Sequence, residues 1–281
     1  MTPADFQFLA GLMKRRSGLA LKAAKSSLTE ARLRPIVERN GLKNIGDLID
    51  ALRRGIEPLI RETVAAMTTN ESWFFRDQRP FEQFRDIMLP RLLARRVKTK
   101  TLRIWCAGAA LGQEPYSLAM ILEERKARLA GWNIEVLATD INEDVLERAR
   151  EGLYHPFEAQ RGLSPVLLSR YFRRDGENWR LNQAIRSSVE FRFGNLLNSF
   201  AELGTFDVIF CRNVLIYFDQ ATKADVLARL QAALAPDGYL VLGVAETVLG
   251  LGSEFAPLQG ARGLYVKVAA ESTSRLEALA G

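Results

Sequence analysis

The residue types that can do chemistry fall at the ends of four short apolar runs. TLRIW runs into Cys106-Ala107-Gly108-Ala109-Ala110-Leu111-Gly112-Gln113-Glu114. WNIEVLAT ends in Asp140-Ile141-Asn142, a later segment in Gly194-Asn195-Leu196, and FDVIFC in Arg212-Asn213-Val214-Leu215-Ile216-Tyr217. An acid that closes the second strand of a βαβ unit is placed to accept hydrogen bonds from ribose hydroxyls. Asp140 lies 28 residues beyond Gly112, a spacing that suits such a unit.

The glycine loop reads GAALG and does not match GxGxxG. A pyrophosphate needs helix-N-terminal amides with no acid beside them. Glu114 occupies that place and would repel it. An adenosine ligand with a cationic group suits Glu114 better, and S-adenosylmethionine, with its ammonium and sulfonium, is one. Taken singly, Glu114 could simply complement a helix dipole and Asp140 could simply close a turn. The pair together favours the ligand.

Other chemistries are excluded by composition. The only cysteines are Cys106 and Cys211, each inside an apolar run, which fits buried free thiols in a reducing compartment. With no CxxC and a single histidine, His155 beside Pro156, a zinc site or other metal centre is not expected, nor is a histidine-based hydrolase. No apolar run spans a bilayer and no secretory leader is evident, so a mature, non-secreted chain without membrane insertion is expected.

The elements that position these residues follow from periodicity. At 281 residues, 48% hydrophobic and 26% charged, the chain can bury a large core. Residues 1–67 read as about four short helices, with apolar residues at helical spacing and breakers at Gly18, Asn40-Gly41, Gly55 and Pro58. Ser27 and Glu30 suggest a capping box for the second helix. From residue 99 strands alternate with helices, which predicts a parallel α/β sheet of Rossmann-like type with crossover helices. A turn is expected at Pro236-Asp237-Gly238. Residues 155–190 interrupt the rhythm and read as a small, partly antiparallel β insertion. Residues 68–98 form a linker, and the tail after Lys267 is expected to fray.

Charge is uneven. Residues 1–61 hold 12 Lys/Arg and 6 Asp/Glu, while the other 220 residues hold 27 of each. The net charge of +6 therefore sits in the helical region, which predicts either an acidic partner or a solvated helical face. Arg32 and Arg39 lie two helical turns apart and share a face if Pro35 does not kink the helix.

MTTNESWFFRD (67–77), WCAGAALGQEPYSLAM (105–120), ATDINEDVLERAREGLY (138–154), NLL (195–197) and FDVIFCRNVLIYFD (206–219) closely resemble the CheR family over nearly the whole chain. The resemblance implies an S-adenosylmethionine-dependent methyltransferase that esterifies glutamates on the cytoplasmic helical bundle of bacterial chemoreceptors, releasing S-adenosylhomocysteine. It places Asn70, Ser72, Arg76 and Gly108 in the cofactor pocket, with Glu114 and Asp140 holding the methionine and ribose parts. Asn195, Leu196, Arg212 and Asn213 complete the adenosine side, and Arg76 and Tyr217 lie near the transferred methyl. Arg32, Arg39, Arg53 and Arg54 are the expected receptor-docking residues. Two departures stand out. Ala109, Ala110 and Leu111 replace the small hydroxyl residues usual between the glycines, and Ser72 stands where threonine is frequent. Some family members bind a receptor-tail peptide on the insertion through a longer glycine-containing loop. Here RRDGENWRLNQAIRSS is short of that pattern, so no dependence on a tail pentapeptide is expected. Methylation of another acidic protein or of nucleic acid, and a cofactor-binding signalling role without catalysis, remain open; nucleic acid is not the expected partner.

Overall fold

The computed structural model describes residues 1–252 and 254–268. The expected fraying of the tail concerns residues that lie almost wholly outside these.

The first helices start and stop where the sequence supplies caps. Helix α1 (Pro3–Ser17) opens on a capping box between Thr2 and Asp5, with Pro3 in its first turn, and closes on left-handed Gly18. Helix α2 (Ser26–Arg39) is entered from a 3-10 turn, Ala23–Lys25, and runs through Pro35. The expected Ser27–Glu30 box does not form: α2 runs straight on from the 3-10 turn and begins at Ser26, which puts Ser27 inside the helix, and Glu30 pairs instead with the N-terminal ammonium of Met1 at 3.0 Å. Asn44 caps α3 (Ile45–Arg53), and α4 (Glu57–Met67) carries Pro58 in its first turn. Leu9, Met13, Leu33, Ile36, Leu48, Ile49 and Ile60 join in one buried cluster, so apolar spacing on four helices yields one small bundle.

Two short helices, α5 (Arg79–Gln83) and α6 (Leu89–Arg95), are joined by a π-helical turn, Phe84–Met88, and lead into the sheet. Strand β1 (Thr101–Ala107), helix α7 (Gln113–Glu124), strand β2 (Asn133–Asp140) and helix α8 (Glu143–Glu151) form the first βαβα unit. After the insertion come β6 (Glu190–Phe193), β7 (Phe206–Cys211), α12 (Gln220–Ala233), β8 (Leu234–Leu242), β9 (Phe255–Pro257) and β10 (Leu264–Lys267). The sheet order is β6-β2-β1-β7-β8-β10-β9, parallel from β6 to β8, with β10 and β9 antiparallel at one edge. Strand order reverses between β1 and β7, the position where open α/β sheets bind ligands.

Alternation along β1 sorts its side chains onto two faces. Ile104 and Cys106 enter the core with α7 and α8, while Trp105 and Ala107 enter the core with α12. Cys106 and Cys211 are both buried, free and in different cores. The Pro236-Asp237-Gly238 turn is instead a bulge inside β8: Phe206 pairs with Leu234 but Val208 pairs with Tyr239. Arg96 holds the bulge by binding Asp237 and Asp207.

The insertion contains a three-stranded antiparallel sheet, β3-β5-β4. Its strands are β3 (Leu153–Tyr154), β4 (Phe172–Asp175) and β5 (Asn178–Leu181), with helices α9 (Pro156–Gln160), α10 (Pro165–Tyr171) and α11 (Gln183–Arg186). His155 is the N-cap of α9, reciprocated by Glu158. Among the described residues no helix is long and apolar enough to cross a membrane.

Candidate functional site

The loop after β1 is shaped by backbone. Gly108, at φ +90°, lies so close to the β7 loop that a Cβ there would sit 2.4 Å from Val214. Gly108 and Ala109 donate their N–H groups to the Thr139 carbonyl at 2.8 and 2.9 Å. Ala110 adopts φ +47° and donates to Asp140 Oδ2 at 2.9 Å. Tyr154, at the start of the insertion, donates its hydroxyl to the Leu111 carbonyl at 2.7 Å. Ala109, Ala110 and Leu111 are themselves buried, so the loop offers the cleft only backbone and methyl groups.

Asp140 does two things at once. Oδ1 accepts from Asn142 N–H at 3.0 Å, closing its own turn, while Oδ2 tethers the glycine loop. Each oxygen keeps a further lone pair for a ribose hydroxyl. Burial pushes this carboxyl up from its ordinary range, and the backbone N–H groups partly offset that.

The loop after β7 is shaped by charge. The Arg212 side chain is almost fully buried; Nη1 binds Glu114 Oε2 at 2.6 Å and Nη2 binds Asp77 Oδ2 at 2.7 Å. Nη2 also donates to the Arg76 carbonyl at 2.9 Å. Burial raises the pKa of Glu114, and the Arg212 cation opposes the shift. Arg212 thus lines the cleft with its guanidinium claimed by Glu114 and Asp77.

The segment 70–78 is bent through three left-handed residues, Phe75, Asp77 and Gln78. Arg76 makes no ion pair with Glu71 or Asp77; its Nη1 donates to the Glu71 carbonyl at 2.7 Å. Its Nε is buried without a partner. Its guanidinium carbon lies 4.4 Å from the Trp73 ring centroid, and Arg161 of the insertion lies 3.8 Å from the same ring. Tyr217 is half-buried between the α12 core and the helical bundle.

The helical bundle supplies the remaining wall. Leu19 bridges Phe218, Ala20 N–H donates to the Tyr217 carbonyl at 2.9 Å, and Lys14 pairs with Asp219. Asn195 donates to the Arg16 carbonyl at 2.7 Å while its Oδ1 accepts from Leu197 N–H. One cleft, about 950 Å³ when the open solvent at its mouth is included, is thereby lined by Asn70, Ser72, Arg76, Gly108, Glu114, Asp140, Asn195, Leu196, Arg212, Asn213 and Tyr217. Ser17, Leu19 and Thr139 line it as well. Sequence reading missed Ser17 and Leu19 because they lie far along the chain in another domain.

Residues 70–264 match the family model described as CheR methyltransferase, SAM binding domain, and residues 4–68 match CheR methyltransferase, all-alpha domain. The chain belongs to the CheR methyltransferase family. It is 40% identical to chemotaxis protein methyltransferase 1 of Pseudomonas aeruginosa over 268 residues, covering 94% of this chain and 97% of that protein. It is 38% identical to chemotaxis protein methyltransferase Cher2 of Pseudomonas putida, covering 92% of this chain and 96% of that one. For the Vibrio parahaemolyticus chemotaxis protein methyltransferase the identity is 35%, with 94% and 96% covered.

S-adenosylmethionine, the cofactor of the CheR SAM-binding domain, fits this donor set. Asp140 has lone pairs to spare, and Glu114 presents a second acid to a cationic ligand. No basic side chain is required to meet a phosphate.

The arginines expected to dock a receptor separate on inspection. Arg32 is turned inward: Nη1 donates to the Met67 and Thr68 carbonyls at 2.7 and 3.1 Å, and Nη2 to Thr69 Oγ1. It thus caps the C-terminus of α4, where freed carbonyls attract a cation. Arg39 reaches the same helix, pairing with Glu62 at 3.1 Å while staying 64% exposed. The face shared by Arg32 and Arg39 therefore looks onto α4. Arg53 pairs with Asp5 and Asp50. Arg54 is exposed.

Proposed function

We propose that this CheR-family protein transfers the methyl group of S-adenosylmethionine to glutamate side chains of bacterial chemoreceptors in the cytoplasm, forming methyl esters. The observation that carries the reading is one cleft holding Arg76 beside Tyr217, Glu114 and Asp140. Bound S-adenosylmethionine supplies a methyl carbon made electrophilic by its positive sulfur.

An ordinary glutamate ionises near pH 4.3, so the acceptor already carries its nucleophilic lone pair at neutral pH. When bound, the cofactor would give up that methyl to a carboxylate oxygen, its sulfur keeping the bonding electron pair. No proton moves and no general base is required. This agrees with a chain whose only histidine is spent on capping α9. What the residues must supply is alignment and exclusion of water. With Nη1 committed to the Glu71 carbonyl and Nε buried, Arg76 has Nη2 left to orient the acceptor carboxylate. Tyr217 shapes the methyl pocket, Asp140 takes the ribose hydroxyls, and Glu114, held by Arg212, meets the ammonium. Asn70 and Ser72 line the cleft from the linker.

Docking falls to the exposed arginines, Arg39 and Arg54 with Arg53 beside them, against the acidic surface of a receptor bundle. The β4–β5 hairpin turns tightly at Gly176-Glu177, and β4 is the longer of the two edge strands of the small sheet. Recognition is proposed not to need a receptor-tail peptide added to that edge.

The test is to incubate the protein with methyl-labelled cofactor and a cytoplasmic receptor fragment, then treat the product with mild alkali. Methyl esters release volatile methanol. Label that stays on the protein, or that enters nucleic acid, overturns the reading. Micromolar binding of a tail pentapeptide would overturn the docking part alone.

A further inference from the structure

One buried acid near the cleft is absorbed by none of the roles above. Glu246 follows β8 and is only 8% exposed. Its Oε2 accepts from Asn213 N–H at 2.8 Å and from Gly243 N–H at 2.7 Å. Its Oε1 accepts from Val214 N–H at 2.9 Å and from Ile216 N–H at 3.3 Å. A single carboxylate thus gathers four backbone donors from two strand-end loops. A carboxylate without hydrogen is the group that can do this, since all its lone pairs accept.

The loop so gathered closes only one short 3-10 turn of its own, Leu215–Tyr217. Asn213, just before it, sits at φ +60°, the left-handed region that asparagine enters more readily than other non-glycine residues. Gly243 has no room for a side chain: a Cβ would stand 2.7 Å from Glu246 Oε2 and 3.0 Å from Asn213 N. The loop carries Asn213 and Tyr217 into the cleft, and its first residue, Arg212, holds Glu114. Glu246 itself is not among the residues lining that cleft.

We propose that Glu246 is a positioning residue of the methyl-transfer site, fixing the post-β7 loop so that Asn213 and Tyr217 face bound cofactor. The inference rests on the methyltransferase reading of the cleft. Glu246→Gln, in the full-length protein, keeps the shape but turns an NH2 group toward backbone N–H donors. S-adenosylhomocysteine calorimetry then separates two outcomes. If Glu246 positions the loop, the dissociation constant rises tenfold or more with stoichiometry still near one, and kcat falls while KM for the receptor fragment is unchanged. If it only supports folding, stoichiometry falls with the dissociation constant unchanged, and the proposal is overturned. Should the variant fail to fold, amide exchange on the wild-type protein decides. The Asn213, Val214 and Ile216 amides must be protected to the level of β7, and rapid exchange at them overturns the proposal. Failure of the wild-type protein to bind S-adenosylhomocysteine would instead strike the methyltransferase reading itself.

Discussion

The two loops that meet at the strand-order reversal are held by different means. After β1, neutral contacts dominate: glycines at positive φ, backbone bonds to Thr139, the Tyr154 hydroxyl, and one carboxylate bond from Asp140. After β7, charges dominate: Glu246 binds the loop backbone, and the Arg212 guanidinium spans Glu114 and Asp77. A neutral loop can wrap a nucleoside without imposing a field on it. A charge-clamped loop keeps its groups fixed while charge shifts during transfer, which is the condition for electrostatic preorganisation. The first wall should therefore govern cofactor affinity and the second the rate.

The sharpest way to break this division is Arg76→Ala, since Arg76 hangs on the charged wall through its carbonyl. Removing one preorganised donor costs about 10²–10³ in kcat. A well-folded variant with near-normal turnover would refute the assignment. Asp140→Ala addresses the first wall, whose one charged contact it removes. It should weaken cofactor binding by about 1.5–3 kcal/mol, roughly 10- to 100-fold by calorimetry, with a smaller effect on the rate of bound cofactor.

Acid offers a third probe. Burial raises the pKa of both Asp140 and Glu114, so both protonate earlier on acidification than ordinary carboxyls near 3.9–4.3. In the proposed roles it is their ionised forms that would accept ribose hydroxyls and meet the ammonium. Cofactor affinity should fall as pH drops through that raised range. The folded state takes up these protons more readily than the unfolded chain, so the same protonation favours the fold. Loss of affinity while circular dichroism holds steady is the expected signature; loss of both together would contradict it.

Smaller effects sharpen the picture at its edges. Arg54→Glu should slow receptor methylation at most about fivefold, an effect added salt erodes, and leave S-adenosylhomocysteine affinity unchanged. A weakened cofactor would mean that the bundle wall had moved. Ala109→Ser should change cofactor affinity by no more than about 1 kcal/mol, because backbone amides carry that loop. A larger gain by calorimetry would show that a hydroxyl is missing there.

Much of this was legible from sequence because the rules involved are local. Strand ends in an open sheet face one edge, so listing Gly108, Asp140, Asn195 and Arg212 at strand ends amounted to listing one cleft wall. The alternating apolar runs likewise dictated the α/β order. What escaped depends on contacts between distant segments. Nothing local marks Glu246, which acts 33 residues from the loop it holds. Arg32 and Arg39 were correctly placed on a common face, but only the packing of α2 on α4 reveals that the face is occupied. The bulge in β8 looked like a turn because Pro-Asp-Gly is turn chemistry; Arg96 draws it into the strand.

The seam between Leu19 and Phe218 bears on how the chain can be dissected. Family boundaries divide it near residue 69, as though two modules had been joined. Yet Ser17 and Leu19 line the cleft, and Ile141 and Tyr217 pack into the bundle core. A fragment beginning after residue 69 would carry every strand-end residue but present those apolar groups to water and leave its ligand open on one side. The unit of inheritance is thus smaller than the unit of function, and a truncated enzyme is expected to be sticky and weakly binding even if its sheet folds.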